Sequence, residues 1–158
     1  MMKNIKLIDY ANSLSLSKVD KIKLLLNRNY GFNGKYFFPS GAIEIYTFES
    51  NIEFFDDLFS FFIHIEAIPF LGEGGFNLPE DFLKREYELE TLSEDKVNYW
   101  VNGYLKGFYQ LSGDTLWNCK LEVRKLRRAF KVNINWQGLY IIGETAESYF
   151  SFMYQSID

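Results

Sequence analysis

The segment Phe54–Glu66, FFDDLFSFFIHIE, most constrains the fold, because it sets five phenylalanines around two aspartates and the chain's only histidine. Apolar residues recur there at i, i+3, i+4 and i+7, which predicts an amphipathic helix with a buried face. The apolar run is far shorter than the roughly 20 residues of a membrane-spanning helix. We expect the helix to be capped by Ser50 or Asn51 and to end before Pro69.

The polar side chains of this predicted helix form one narrow ridge. Asp57, Ser60 and His64 have the composition of a hydrolase triad. Residues at i, i+3 and i+7 of one helix project side by side rather than converging on a shared proton, so the spacing argues against catalysis. We interpret the ridge as an acidic, solvated face. It consists of Glu53, Asp56, Asp57, Ser60 and His64.

Three further helices and one extended segment are predicted from caps and periodicity. Ser93 caps an amphipathic helix that Gly113 ends, with Val97, Val101 and Leu105 on its apolar face. The other predicted segments are a helix over 17–28, extended structure over 36–48 with a turn at Pro39–Gly41, and a helix from Pro79 to about residue 90.

The C-terminal third changes to a period of two, which is typical of half-buried strands. Apolar and polar residues alternate over 117–123 and 130–136, and two more apolar runs follow, so we predict a four-stranded antiparallel meander over about 115–155. Residues 115–130 also fit a helical repeat, and that alternative stays open. The predicted fold is α+β, a single domain over 1–158 with N-terminal and central helices packed on a C-terminal antiparallel sheet.

The motifs exclude several kinds of site. The GEGG segment at Gly72–Gly75 lacks the Lys-Ser/Thr of a phosphate-binding loop, and we interpret it as a flexible loop. Cys119 is the only cysteine, so no intramolecular disulfide is possible, and we expect a buried thiol. No cofactor or metal site is predicted. The amino-terminal residues contain no apolar run of signal-peptide length, and a cytoplasmic location is expected.

Charge is distributed unevenly along the chain. Residues 44–95 contain fourteen acidic and two basic residues, whereas the segments on either side are mildly basic. An acidic segment of this kind favours recognition of a basic surface. The basic cluster Arg124–Arg128 is the strongest candidate for phosphate contacts, with Trp117 or Trp136 for stacking, but a net charge of −4 opposes nucleic acid as the main partner. A charged turn, or a cluster that pairs within the chain, is the alternative.

This small, acidic, aromatic-rich profile, with one histidine, one cysteine and no catalytic signature, resembles the immunity proteins that bacteria pair with contact-dependent growth-inhibition toxins. The resemblance implies a non-catalytic protein that binds a cognate basic toxin domain, such as a nuclease, and covers its active site. Acidic side chains would then mimic the charge of the toxin's nucleic-acid substrate. The predicted partner-binding residues are Glu53, Asp56, Asp57, His64, Glu86, Glu88, Glu90, Glu94 and Asp95.

Three other functions remain open from the sequence. The first is a ligand-binding domain whose aromatic residues line a pocket, and the second is a carboxylate-dependent enzyme. The third is a subunit of a larger complex.

Overall fold

An eight-stranded antiparallel sheet organises the protein, whose computed structural model describes residues 2–24, 34–39, 41–117 and 120–157. The strands are β1 (Met2–Lys6), β2 (Lys23–Leu24), β3 (Gly34–Phe38), β4 (Gly41–Asn51), β7 (Glu86–Thr91), β8 (Leu126–Val132), β9 (Gly138–Thr145) and β10 (Ser148–Ile157). Their order is β1-β7-β8-β9-β10-β4-β2, and β3 also pairs with β4. The small strands β5 (Leu71–Gly72) and β6 (Gly75–Phe76) form a separate hairpin.

The helices are α1 (Leu16–Val19), α2 (Leu58–Ala67) and α3 (Glu94–Ser112), with short 3₁₀ helices between elements. This architecture confirms the predicted α+β class. Three of the four predicted C-terminal strands are present as β8, β9 and β10, and the sheet also takes strands from the first half of the chain. Within the described residues, no helix is both long and apolar enough to cross a membrane.

Both faces of the sheet are covered, which explains why β9, at its centre, is buried without interruption from Leu139 to Gly143. Tyr140 and Ile142 of β9 pack in a core beneath α2, whereas Leu139 and Ile141 point to the opposite face and pack in a second core beneath α3. The segment Phe54–Glu66 contributes to the first core: nine of the ten residues of α2, all except Glu66, are buried.

Helix α3 confirms its prediction at both ends. The Ser93 hydroxyl oxygen accepts a hydrogen bond from the Lys96 amide at 3.3 Å, and Gly113 adopts a left-handed conformation with φ 68°. Val97, Val101, Leu105 and Phe108 are buried against the sheet. Local capping therefore agrees with tertiary packing in this helix.

Residues 120–124 are neither the strand nor the helix that the sequence predicted. Two asparagines one turn apart on α3 hold this extended segment through their side-chain amides. Asn98 Oδ1 accepts from the Val123 amide at 2.7 Å and Asn98 Nδ2 donates to the Val123 carbonyl at 3.0 Å. Asn102 makes the equivalent pair of bonds to Leu121, both 2.8 Å long. The side-chain amides of α3 thus make the backbone hydrogen bonds that a neighbouring strand would otherwise make. Leu121 and Val123, two residues apart, are both held in this way.

We expect Asn98→Ala to lower the free energy of unfolding by about 2 kcal/mol, because it leaves the amide and carbonyl of buried Val123 without partners. Chemical denaturation measures the change. Asn135→Ala is the matched control, since Asn135 is exposed in the turn between β8 and β9. Equal stability of the two variants would contradict the role assigned to the Asn98 amide.

Other predicted elements need correction. The helix expected over 17–28 is wrong from Asp20 to Leu24, where the chain leaves α1 and adds β2 to the edge of β4; residues 25–28 lie outside the described part of the chain. The helix expected from Pro79 to residue 90 is a 3₁₀ turn, Phe82–Lys84, followed by β7. Pairing with β1 and β8 overrides the helical propensity of its glutamates.

The strand predicted over 130–136 begins earlier and ends at Val132, so Ile134 and Trp136 lie in the connection to β9. The extended segment expected over 36–48 is confirmed by β3 and β4, which pair antiparallel. Its predicted turn includes Ser40, and the expected buried thiol is Cys119; both residues lie outside the described part of the chain.

Candidate functional site

An acidic pocket lies at the amino-terminal end of α2. Asp9 comes from the 3₁₀ helix Leu7–Ser13, and Asp56 and Asp57 come from the turn that precedes α2. Together with Ser60 and neighbouring residues of the 3₁₀ helix, they line a cavity of about 250 Å³. We call this cavity the Asp56 pocket.

Capping explains why the aspartates stand at this end of the helix. The Asp57 carboxylate accepts a hydrogen bond from the Ser60 amide at 2.8 Å, so Asp57 is the N-cap of α2. The predicted caps do not have this role: the Asn51 side chain caps the short 3₁₀ helix Ile52–Phe54 instead. The positive end of the helix dipole stabilises negative charge at this position.

Two carboxylates of the pocket, Asp9 and Asp56, are exposed to solvent. Among the described residues, neither Asp9 nor Asp56 forms an ion pair, and both are exposed. Two lysines contact aromatic rings of the segment before α2: Lys21 Nζ lies 4.9 Å from the ring centre of Phe54, and Lys18 Nζ lies 5.7 Å from that of Phe55. The Asp9 and Asp56 carboxylates can therefore pair with positively charged groups of a partner.

Ser60 adds a second polar feature to the pocket. It is 1% exposed, and its hydroxyl oxygen is the one buried side-chain polar atom without a hydrogen-bond partner in the described part of the chain. Native proteins seldom leave a buried hydroxyl unsatisfied. A ligand group that enters the pocket with hydrogen-bond donors would satisfy it.

The chemistry of the pocket suits an organic cation better than a metal ion. No three histidine, cysteine or acidic side chains come close enough together to hold a metal in the described ranges. Tyr10 also lines the pocket, and burial, reinforced by the charges of Asp57 and Asp9, raises the pKa of its phenol. Tyr10 therefore stays protonated at neutral pH.

His64 does not belong to an exposed ridge, which corrects the prediction from the sequence. Its side chain is fully buried. Nδ1 lies 2.7 Å from the Ser60 carbonyl oxygen and donates to it, while Nε2 accepts a hydrogen bond from the Ser15 amide at 3.0 Å. These two bonds select the neutral Nδ1–H tautomer, and burial lowers the pKa of the imidazole.

The arrangement also disfavours the triad geometry. His64 contacts the backbone carbonyl of Ser60 rather than its hydroxyl, so the imidazole is not placed to remove the hydroxyl proton. The histidine instead ties the residue before α1 to α2. It cannot reach a partner from its buried position.

The other predicted partner-binding residues lie elsewhere and are largely used within the chain. Alternation along β7 places Glu86, Glu88 and Glu90 on the sheet face opposite to α2. Glu86 lies 3.7 Å from Lys6 Nζ, and Glu88 accepts a hydrogen bond from the Asn133 side chain at 2.7 Å. Glu90 is directly opposite Lys131 in the register of β7 and β8.

The first turn of α3 contains the last two predicted residues. The Glu94 carboxylate accepts a hydrogen bond from the Leu126 amide at 3.0 Å and so helps to hold the start of β8. Asp95 is exposed. Among the described residues, Asp56 and Asp57 line one cavity, Glu86 lines a separate one, and Glu53 is exposed close to Asp56 in sequence.

The basic cluster Arg124–Arg128 runs into β8 and pairs within the chain. Arg127 and Arg128 lie 3.5 and 3.3 Å from the two oxygens of Glu144, and Arg124 lies 3.0 Å from Glu122. The guanidinium of Arg128 also lies 5.0 Å from the ring centre of Phe59. This arrangement supports the intrachain alternative over phosphate contacts.

Sequence reasoning missed Asp9 and Glu66. Asp9 is far from Asp56 along the chain, and no local pattern indicates that the two meet. Glu66 did leave a signal, because an acidic residue in the last turn of a helix is unfavourable and requires compensation. The hydroxyls of Tyr87 and Tyr140 provide it by donating hydrogen bonds to the Glu66 carboxylate.

Comparison with protein-family models, with curated proteins and with solved structures finds no match for this chain. The functional argument therefore depends on the residues described above.

Proposed function

We propose that this protein is a non-catalytic, cytoplasmic immunity protein that neutralises a basic toxin domain by covering its active site. A nuclease is the toxin class whose binding surface is basic because it holds nucleic acid. The acidic middle of the chain supports this proposal through charge complementarity.

The observation that carries the proposal is the Asp56 pocket. It combines two exposed carboxylates that have no ion pair among the described residues with a buried hydroxyl that lacks a partner. An arginine or lysine of the toxin is the group that fits this set, since it supplies positive charge and several hydrogen-bond donors at once. The glutamates of β7 fit less well, because they already contact Lys6 and Asn133.

The test begins with tagged wild-type protein as bait in lysate from its source cells, eluted by stepped salt and identified by mass spectrometry. The expected result is a basic protein recovered at one-to-one stoichiometry, whose growth-inhibiting activity is abolished by adding the bait. The bait should abolish this growth-inhibiting activity by binding alone, without chemically changing the captured protein. A captured protein that stays fully active in the complex would contradict the proposal.

Asp56→Lys is expected to slow association with the captured partner by at least about tenfold, because it reverses an exposed charge that lines the pocket. Stopped-flow kinetics at low and high salt measure the effect, which should shrink as salt screens the charges. Asp57 is less suitable for this test, because its carboxylate also caps α2.

Glu88→Lys is the matched control. It makes the same charge change at an exposed acidic residue on the opposite face of the sheet, and association should change by no more than about twofold. If Glu88→Lys slowed association as much as Asp56→Lys, or if neither had an effect, the Asp56 pocket would not be the binding site.

A further inference from the structure

A second concave site lies beyond the carboxyl-terminal end of α2. Two adjoining cavities of about 460 and 530 Å³ share Glu66, Met153 and Gln155 as lining residues. Volumes in this range are typical of sites for small organic molecules. We call the two cavities together the Glu66 cleft.

The cleft exists because α2 is shorter than the strands that it covers. The helix ends at Ala67, and Pro69 prevents its continuation, so the sheet beyond this point is not covered by α2. Met153 of β10 lies between Tyr140 of β9 and Tyr46 of β4 in the register of the sheet. These three side chains form the floor of the cleft.

Glu66 extends from the last turn of α2 towards this floor and is held in place by two tyrosines. Tyr140 donates a hydrogen bond to Glu66 Oε2 at 3.0 Å, and Tyr87 donates to Oε1. An ionised carboxylate can accept about four hydrogen bonds, so acceptor positions remain. Phe62 packs against both tyrosine rings, at centroid distances of 5.1 and 5.8 Å, and keeps this arrangement rigid.

Glu66 has no ion pair within the described part of the chain. The guanidinium of Arg85 lines the same cavity and lies over the rings of Phe70 and Phe82, at 5.5 and 5.1 Å, and its charge acts on both Glu66 and Tyr87. A second carboxylate, Glu44, lines the other side of the cleft and accepts a hydrogen bond from Tyr46 at 2.8 Å. With Glu86, the charged residues that line the cleft are three carboxylates and one guanidinium, so their net charge favours a cation.

The apolar residues of the cleft indicate the kind of molecule to which the cationic group is attached. Phe48, Ile65, Ile68 and Pro69 line one cavity, and Ile134 and Trp136 line the other. An indole face and a carboxylate at one site are the combination that binds ammonium groups attached to apolar bodies. An apolar body would also exclude water from the Glu66 carboxylate and strengthen its pairing with the ammonium group.

We propose that the Glu66 cleft binds a small primary amine carried on an aromatic or alkyl body. The ammonium group pairs with the Glu66 carboxylate, and the body lies on Met153 and Trp136. Burial raises the pKa of Glu66, although the two tyrosine donors and the charge of Arg85 act in the opposite direction, and a bound ammonium group would further favour the ionised carboxylate.

The test is isothermal titration and thermal shift on the full chain with three amines: tryptamine, phenethylamine and hexylamine. At about ten times its dissociation constant, a bound amine should raise Tm by roughly 3 °C. Tryptophol and indole-3-propionate keep the indole of tryptamine but replace the ammonium with a hydroxyl and a carboxylate. Both should bind at least about tenfold more weakly than tryptamine.

Glu66→Gln is expected to reduce tryptamine affinity at least about tenfold, while Glu88→Gln leaves it unchanged. Met153→Trp provides a second test that keeps the carboxylate and fills the cleft, and it should also abolish binding. No stabilisation by any of the three amines, equal binding of tryptamine and indole-3-propionate, or unchanged affinity in Glu66→Gln would each overturn the proposal. Because the Asp56 pocket does not include Glu66, failure here leaves the toxin-binding proposal standing.

Discussion

His64→Ala lowers the free energy of unfolding by about 3 kcal/mol or more, if the only histidine is structural as its contacts indicate. The substitution removes a fully buried ring that packs edge-on against Phe55 at a centroid distance of 5.0 Å. It also leaves the Ser60 carbonyl without its imidazole donor and the Ser15 amide without its acceptor. Urea denaturation at pH 7 measures the loss.

The pH dependence gives an independent readout of the same side chain. Burial lowers the pKa of His64 from its ordinary value of 6.5, and the charge of Lys18 acts in the same direction. Below pH 6.5, the unfolded chain therefore binds a proton at His64 more readily than the folded chain does. The stability that neutral His64 contributes is present above pH 6.5 and is lost as the pH falls below that value. The loss between pH 7 and pH 5 should be smaller in His64→Ala than in the wild type.

Ser60→Ala is the matched control for His64, one turn earlier on the same helix. It removes a buried hydroxyl that has no partner among the described residues, so stability should be unchanged or slightly higher. If His64→Ala were as stable as Ser60→Ala at pH 7, the imidazole would be free for another role, and a catalytic function would have to be reconsidered.

The second large effect is expected at Gly138, the first residue of β9. Its φ is +148°, and a Cβ built there would lie 1.9 Å from the Tyr154 carbonyl oxygen and 2.8 Å from the Trp136 ring. Neither strand can move without disturbing the β9–β10 pairing, in which Gly138 is opposite Gln155. Gly138→Ala should therefore destabilise the protein by about 3 kcal/mol or more.

Gly103→Ala is expected to have the opposite effect on stability, an increase. Gly103 lies within α3, and a Cβ at this position would meet no atom within 4 Å, so alanine should stabilise the helix by about 0.5–1 kcal/mol. Thermal melts of Gly138→Ala and Gly103→Ala, measured together, separate the loss of stability caused by the clash with the Tyr154 backbone from the general effect of replacing a glycine. A destabilised Gly103→Ala variant would contradict the open environment assigned to that residue.

Helix α3 shows why some elements were predictable. Its serine cap, apolar stripe and terminal glycine are local signals, and all three act within the helix itself. The apolar character of Phe54–Glu66 was equally clear, and the segment is buried in α2 as expected. Its start was misplaced because Asp57, Asn51 and Ser50 are all good cap residues, and packing of the following phenylalanines selected Asp57.

The failures occurred where a partner from a distant part of the chain replaced a local one. Residues 86–91 form β7 because β1 and β8 lie on either side, and Leu121 and Val123 are held by side chains of α3. His64 was expected on an exposed face, but the segment Leu7–Ser15 covers it and supplies its second hydrogen bond. No local pattern encodes these contacts.

Composition, charge distribution and local capping established the α+β class, helix α3, the burial of the phenylalanine-rich segment and an acidic middle region. These properties depend on neighbouring residues or on the sum of many residues. Folding determined which carboxylates are unpaired: Asp56 meets Asp9 at the end of α2, whereas Glu86 and Glu88 meet Lys6 and Asn133. It also placed Glu66 beneath two tyrosines, because the energy of a charge depends on its neighbours in space and not on its neighbours in sequence.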